Sequence, residues 1–183
     1  MKEMKASGFQ TRDIRKLDEE RRVVKVKPGL YRLADIQLSE DNGLVEVCLA
    51  MPKAVICLIS ALAYHDLTTF VPTTITFAIP RWQKPIKLTY PPSQPYYFSG
   101  EQYKGGIELR ETKVGHVRIY VPEKTICDCS RFRNKLGEDL ALEALQQYLK
   151  RRNRDLNKLM KFAELCRVRG VIELCLKAAL ASH

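Results

Sequence analysis

Residues 116–152 read HVRIYVPEKTICDCSRFRNKLGEDLALEALQQYLKRR. The stretch opens with alternation: Val117, Ile119 and Val121 fall on one side, and His116, Arg118 and Tyr120 on the other, the period of a strand. Pro122 ends that strand because it has no N–H for a ladder, and for the same reason it suits a first helical position. Glu123 then places a carboxylate near the positive helix end. A helix is expected to about Lys135, with a break at Gly137. A second helix over 138–152 buries Ala141, Ala144, Leu145, Tyr148 and Leu149 at helical spacing and ends in Lys150-Arg151-Arg152.

Working outward, two more helices are expected over 155–166 and 169–181. Upstream, Thr74–Pro80, Ile86–Tyr90, Pro95–Ser99, Ile107–Lys113 and His116–Val121 read as five short strands, the last two forming a hairpin. Turn signals at Pro91-Pro92, Gly105-Gly106 and Val114-Gly115 separate them. Ala54 to Tyr64 is apolar on all sides and predicts one buried helix, preceded by an apolar run from Leu44 to Met51. Ser39 to Gly43 reads as a polar linker. Strands ahead of helices predict an α+β fold for residues 39–183.

Residues 1–38 form a separate unit in this reading. Ser7-Gly8-Phe9 is a turn signal, and Thr11 can cap a helix through about Glu20. Ile14 and Leu17 share one face of it, and Arg12, Arg15, Lys16 and Glu19 the other, as a recognition helix arranges them. Val23–Val26 and Leu30–Leu33, around Lys27-Pro28-Gly29, predict a hairpin. Helix then hairpin is the back half of a winged helix-turn-helix. The chain begins too late for a first helix, so either the start has been lost or the module is minimal and leans on something else.

The chain has 183 residues, 31 of them basic and 21 acidic, for a formal charge of +10 that favours a polyanionic partner. The basic residues cluster: ten against five acidic in 1–33, and eight against two from Lys150 to Arg169. Between Leu33 and Pro80 the one basic residue is Lys53, which marks that region as core. No apolar run is long enough for a membrane helix or a signal peptide, so a cytoplasmic protein is expected, with its six cysteines reduced.

The organising stretch resembles the C-terminal domain of AbiEi-type antitoxins of type IV toxin–antitoxin systems. The residues that carry the likeness are Pro122, Lys124, Thr125, Asp128, Cys129, Arg133, Asn134, Lys135, Gly137, Ala141, Glu143, Ala144 and Leu145. Residues 54–81, AVICLISALAYHDLTTFVPTTITFAIPR, and 28–33, PGLYRL, extend it. Ser130 departs from the family, which tends to have an aromatic there. The resemblance implies a winged-helix transcriptional regulator that represses its own operon and counters a nucleotidyltransferase-like toxin.

Three enzymatic or metal readings fare worse. Cys127 and Cys129, two apart on a helix, face different ways, and no histidine or second cysteine pair completes a zinc set. His65 beside Asp66 has no nucleophile motif with it, and a cation at a helix C-terminus explains it. Glu111-Thr112-Lys113 has the spacing of a metal-dependent nuclease, with Glu108 on the same strand, but the preceding strands supply no acid. Lys124-Thr125 matches the tail of a phosphate loop without its glycines; Thr125 and Asp128 are expected to hydrogen-bond locally.

The expectation is therefore a non-enzymatic DNA-binding regulator with no metal or cofactor. Thr11, Arg12, Arg15 and Lys16 would meet operator DNA, Lys25 and Lys27 would touch its backbone from the wing, and Arg151, Arg152 and Arg154 would extend the phosphate contacts. The alternatives are a toxin-neutralising interaction module without DNA binding, and a nuclease using Glu111 and Lys113.

Overall fold

The computed structural model describes residues 11–34 and 40–181, which form an α+β fold with two sheets. The Ser7-Gly8-Phe9 turn and Ser39 lie outside the described residues. The first unit is helix α1 (Thr11–Glu19) followed by an antiparallel hairpin, β1 (Val23–Lys27) and β2 (Leu30–Leu33). Ile14, Val23 and Val26 are buried, while Arg12, Arg15 and Lys16 face solvent.

Helix α2 (Glu40–Ala50) begins inside the stretch expected to be a linker. Its run from Leu44 to Met51 packs on one face of a mixed sheet of order β5-β4-β3-β7-β6. The strands are β3 (Val55–Ile56), β4 (Ile75–Pro80), β5 (Ser93–Phe98), β6 (Ile107–Thr112) and β7 (Gly115–Tyr120). β3 is central: it runs antiparallel to β4 and parallel to β7. The single helix expected over 54–64 is therefore two elements, strand β3 and helix α3 (Leu58–Tyr64). The strand is wholly apolar because it is covered on both faces, Ile56 by the α2 layer and Val55 by the opposite core. Leu58, with φ 49°, turns the chain from strand to helix.

Four of the five strands expected over 74–121 are present as β4 to β7, and the fifth strand of the sheet is β3 instead. Ile86–Tyr90 is not a strand. Pro85 and the Pro91-Pro92 pair bracket it, and prolines cannot donate to a ladder. It runs instead beside the N-terminal hairpin, where Thr89 N–H donates to the Val26 carbonyl at 3.2 Å.

The second face of the sheet carries the C-terminal helices. Between β5 and β6 lies the short α4 (Gly100–Lys104). After β7 come α5 (Pro122–Arg131), α6 (Arg133–Leu136), α7 (Glu138–Leu149), α8 (Leu156–Leu165) and α9 (Arg169–Ala181). The helix expected over 122–135 breaks at Phe132, whose ring stacks on Phe98 at 5.8 Å and meets Tyr96 edge-on. Ala141, Ala144, Leu145 and Tyr148 of α7 are buried, and Leu149 is half-buried. Gly106 is required where it stands: its φ is +77°, and a Cβ would come within 2.9 Å of the Phe162 ring.

Helix α5 runs through the middle of this layer, packed by α3, α7, α8 and the sheet, and it buries charge. Lys124 and Asp128 are both fully buried, one turn apart, with Nζ 2.5 Å from Oδ2. The ammonium also lies 4.5 Å from the Tyr120 ring centroid and 5.0 Å from that of Phe98. The Cys166 thiol donates to the other Asp128 oxygen at 3.3 Å. Thr125 makes the expected local bonds, to the Val121 and Tyr120 carbonyls. Among the described residues no helix is long and apolar enough to cross a membrane.

Removing one member of a dry ion pair leaves the other charge uncompensated. Lys124→Met should therefore lower unfolding free energy by about 3–5 kcal/mol in urea denaturation, and the double variant Lys124→Met/Asp128→Leu should recover most of that loss.

Candidate nucleic-acid interface

The basic residues singled out from sequence divide into free cations and cations already in use. Arg12, Arg15 and Lys16 are exposed on α1, on the side away from buried Ile14. Lys16 approaches Glu20 only at 4.0 Å, and its own side chain is mostly in water, so it stays available. Thr11 opens the helix. Lys25 is exposed on β1.

Lys27 is different. Its ammonium donates to the Ala50 carbonyl at 2.6 Å, at the C-terminus of α2. Helix C-termini leave carbonyls without partners and carry partial negative charge, so a lysine placed there is held. Arg32 reinforces the dock: its Nε lies 2.8 Å from Glu46 Oε1, and its guanidinium sits 5.2 Å from the Tyr90 ring centroid. The hairpin is thus fixed to the larger domain by Lys27, Arg32 and the Thr89–Val26 bond. Desolvation raises the Glu46 carboxyl pKa, which Arg32 pulls back.

The C-terminal cluster divides the same way. Arg151 donates to the carbonyls of His65 and Asp66 at the end of α3. Arg154 donates to the Arg151 carbonyl at 3.0 Å, and Lys158 lies 3.1 Å from Glu123. Arg152 stays exposed and shares a shallow hollow with Arg110 of β6, Tyr64, His65 and Asn153. Arg110 was not singled out from sequence; its alternation with Glu108 on an edge strand looks like ordinary surface charge, and the two are paired.

The cation expected at the end of α3 is thus Arg151, not His65. The His65 ring is buried and lies 2.7 Å from the Tyr120 carbonyl, which makes Nε2 the protonated nitrogen. Burial pushes its pKa below the ordinary value of 6.5; the Tyr120 carbonyl opposes this, and Arg110 and Arg151 add to it.

The enzymatic candidates stay apart. Glu111 is exposed on the edge strand β6, directly opposite His116, and Lys113 is exposed in the turn that follows. Among the described residues no three of His, Cys, Asp and Glu gather where they could hold a metal ion. Cys127 and Cys129 are buried free thiols, and burial pushes both well above the usual thiol range, away from the reactive thiolate.

No family model matches the chain, and no curated protein matches its sequence. The site therefore stands on its own residues.

The neutral His65 carries a pH signature. Below about pH 6.5 the unfolded chain takes up a proton that the folded ring resists, so stability falls with pH and levels off once the folded ring itself titrates. His65→Gln should flatten that slope when unfolding free energy is measured between pH 7 and about pH 5.

Proposed function

We propose that this chain is a cytoplasmic, non-enzymatic regulator that binds double-stranded operator DNA and serves as the antitoxin of a type IV system. Its operon partner would be a nucleotidyltransferase-like toxin. The DNA part is supported by one observation above the others. Helix α1 presents Arg12, Arg15 and Lys16 outward while its apolar side packs on a hairpin that is itself tied to α2. A basic helix face held by a rigid base can meet a major groove without first being ordered. Lys25, on the exposed side of the hairpin, is placed to reach the backbone beside it. The antitoxin part rests on the resemblance of residues 122–152 to the AbiEi C-terminal domain.

The occupied cations refine which residues would meet phosphate. Arg152 is free to do so, whereas Arg151 and Lys27 already hold carbonyls. Catalysis by Glu111 and Lys113 is not part of this reading.

In a gel shift with the DNA upstream of the gene, changing Arg12, Arg15 and Lys16 together to Ala should abolish specific binding. Arg15→Ala alone should cost about 1–3 kcal/mol if it reads a base. Unchanged affinity in the triple variant would refute the assignment of α1. Arg152→Ala should lower the salt slope of log affinity by about 0.9 with the fold intact, while Arg151→Ala should lower thermal stability instead.

A further inference from the structure

Beyond the carboxyl ends of the parallel strands β4 and β5 lies a cleft of about 440 Å³ that the operator-binding reading does not use. Its walls carry four cations from four separate segments: Lys53 ahead of β3, Arg81 after β4, Lys104 on α4 and Arg118 on β7. None of its lining residues is acidic. Lys104 does meet Glu101 at 3.5 Å, but both side chains are more than two-thirds in water, where such a pair is worth little.

Aromatic rings are interleaved with these charges. Tyr103 lines the cleft, its hydroxyl donating to the Lys53 carbonyl at 2.5 Å. Trp82 stands at the rim, 71% exposed. The Lys53 ammonium lies 4.0 Å from the Trp82 ring centroid and steadies the indole, while most of the ring remains in water. Trp82 and Arg81 also border a second hollow with Gln83, Lys84, Pro85 and Tyr97, itself 47% exposed. Trp82 is thus a ridge between two concavities, each bordered by cations and each offering an aromatic ring.

Exposed indole and phenol rings set among cations are the pattern that takes unpaired nucleotides: the base stacks on a π-face and the phosphate meets the ammonium and guanidinium groups. A duplex supplies the phosphates but keeps its base faces inside the stack. We propose that this cleft binds nucleotides through a base on Trp82 and a phosphate on Arg81 and Lys104, with Arg118 behind them. The nucleotide is either free or part of a single strand. The site shares no residue with α1, so it stands or falls separately from the operator reading.

Trp82 is the only tryptophan in the chain, so tryptophan fluorescence reports on this ridge and the hollows beside it. The full chain is titrated with a short single-stranded oligonucleotide, with a nucleoside triphosphate and with inorganic triphosphate. Saturable quenching by the strand is expected. Equal quenching by the nucleoside triphosphate identifies a free nucleotide as a ligand, and quenching by the strand alone identifies nucleic acid. Arg118 is left unchanged because its guanidinium also donates to the Pro52 carbonyl. The variants are Trp82→Leu and Arg81→Ala/Lys104→Ala, all at exposed positions. Each should weaken binding of a fluorescently labelled ligand about ten- to hundredfold in anisotropy, while operator gel shifts stay as in the parent. The Arg12/Arg15/Lys16 variant should keep full Trp82 quenching. The proposal is overturned if neither nucleotide ligand quenches, if inorganic triphosphate quenches as well as they do, or if Trp82→Leu binds as tightly as the parent.

Discussion

The Lys124–Asp128 pair sets the terms for the whole helical layer. Two charges with no access to water are tolerable only when each is answered at close range. Asp128 answers Lys124 on one side, and the faces of Tyr120 and Phe98 answer it on another. The Cys166 thiol takes the remaining carboxylate oxygen. Burial pushes the Asp128 pKa up, and Lys124 opposes that rise. These partners come from β5, β7 and the end of α8, so seating one ion pair fixes two strands and a distant helix end around α5. Phe132 continues the ring stack at the point where the helix breaks.

A second device recurs at the helix ends. The C-terminus of α2 takes the Lys27 ammonium from the hairpin, and that of α3 takes the Arg151 guanidinium from the end of α7. Arg118 does the same for the Pro52 carbonyl just past α2. Carbonyls at these positions have no partner within their helix, and a long cationic side chain reaches them from another element. The formal charge of +10 therefore overstates the charge free for a polyanion. Among the described residues, exposed cations that hold no carbonyl include Arg12, Arg15 and Lys16 on α1, Arg152, and Arg81 beside Trp82.

That separation gives the proposed activities different structural bases. The α1 face rests on a hairpin that is pinned to α2 and to the 86–90 segment. The Trp82 cleft is built instead from loops at one end of the sheet, whose central strand has two residues. Lys53 shows how position changes a residue's meaning: alone in an apolar stretch it marks core, yet the turn ahead of β3 carries it out over an indole.

Much of the architecture was legible in the sequence because it depends on local periodicity. The alternation of Val117, Ile119 and Val121, Pro122 at a helix start, and the spacing of Ala141, Ala144, Leu145 and Tyr148 each determine an element without reference to the rest of the chain. So do α1, with Ile14 opposed to Arg12 and Arg15, and the hairpin after it. Tertiary structure decided what periodicity cannot see. Val55-Ile56 and Leu58–Tyr64 belong to one nearly continuous apolar run, and pairing with β4 and β7 sets the first apart as a strand. Ile86–Tyr90 alternates like a strand but has prolines at both ends, and it meets the hairpin through the single Thr89–Val26 backbone bond rather than through a ladder. Whether Lys27, Arg151 or Arg152 is free for phosphate depends on which carbonyl lies within reach of its side chain, and that distance is set by chain segments tens of residues away.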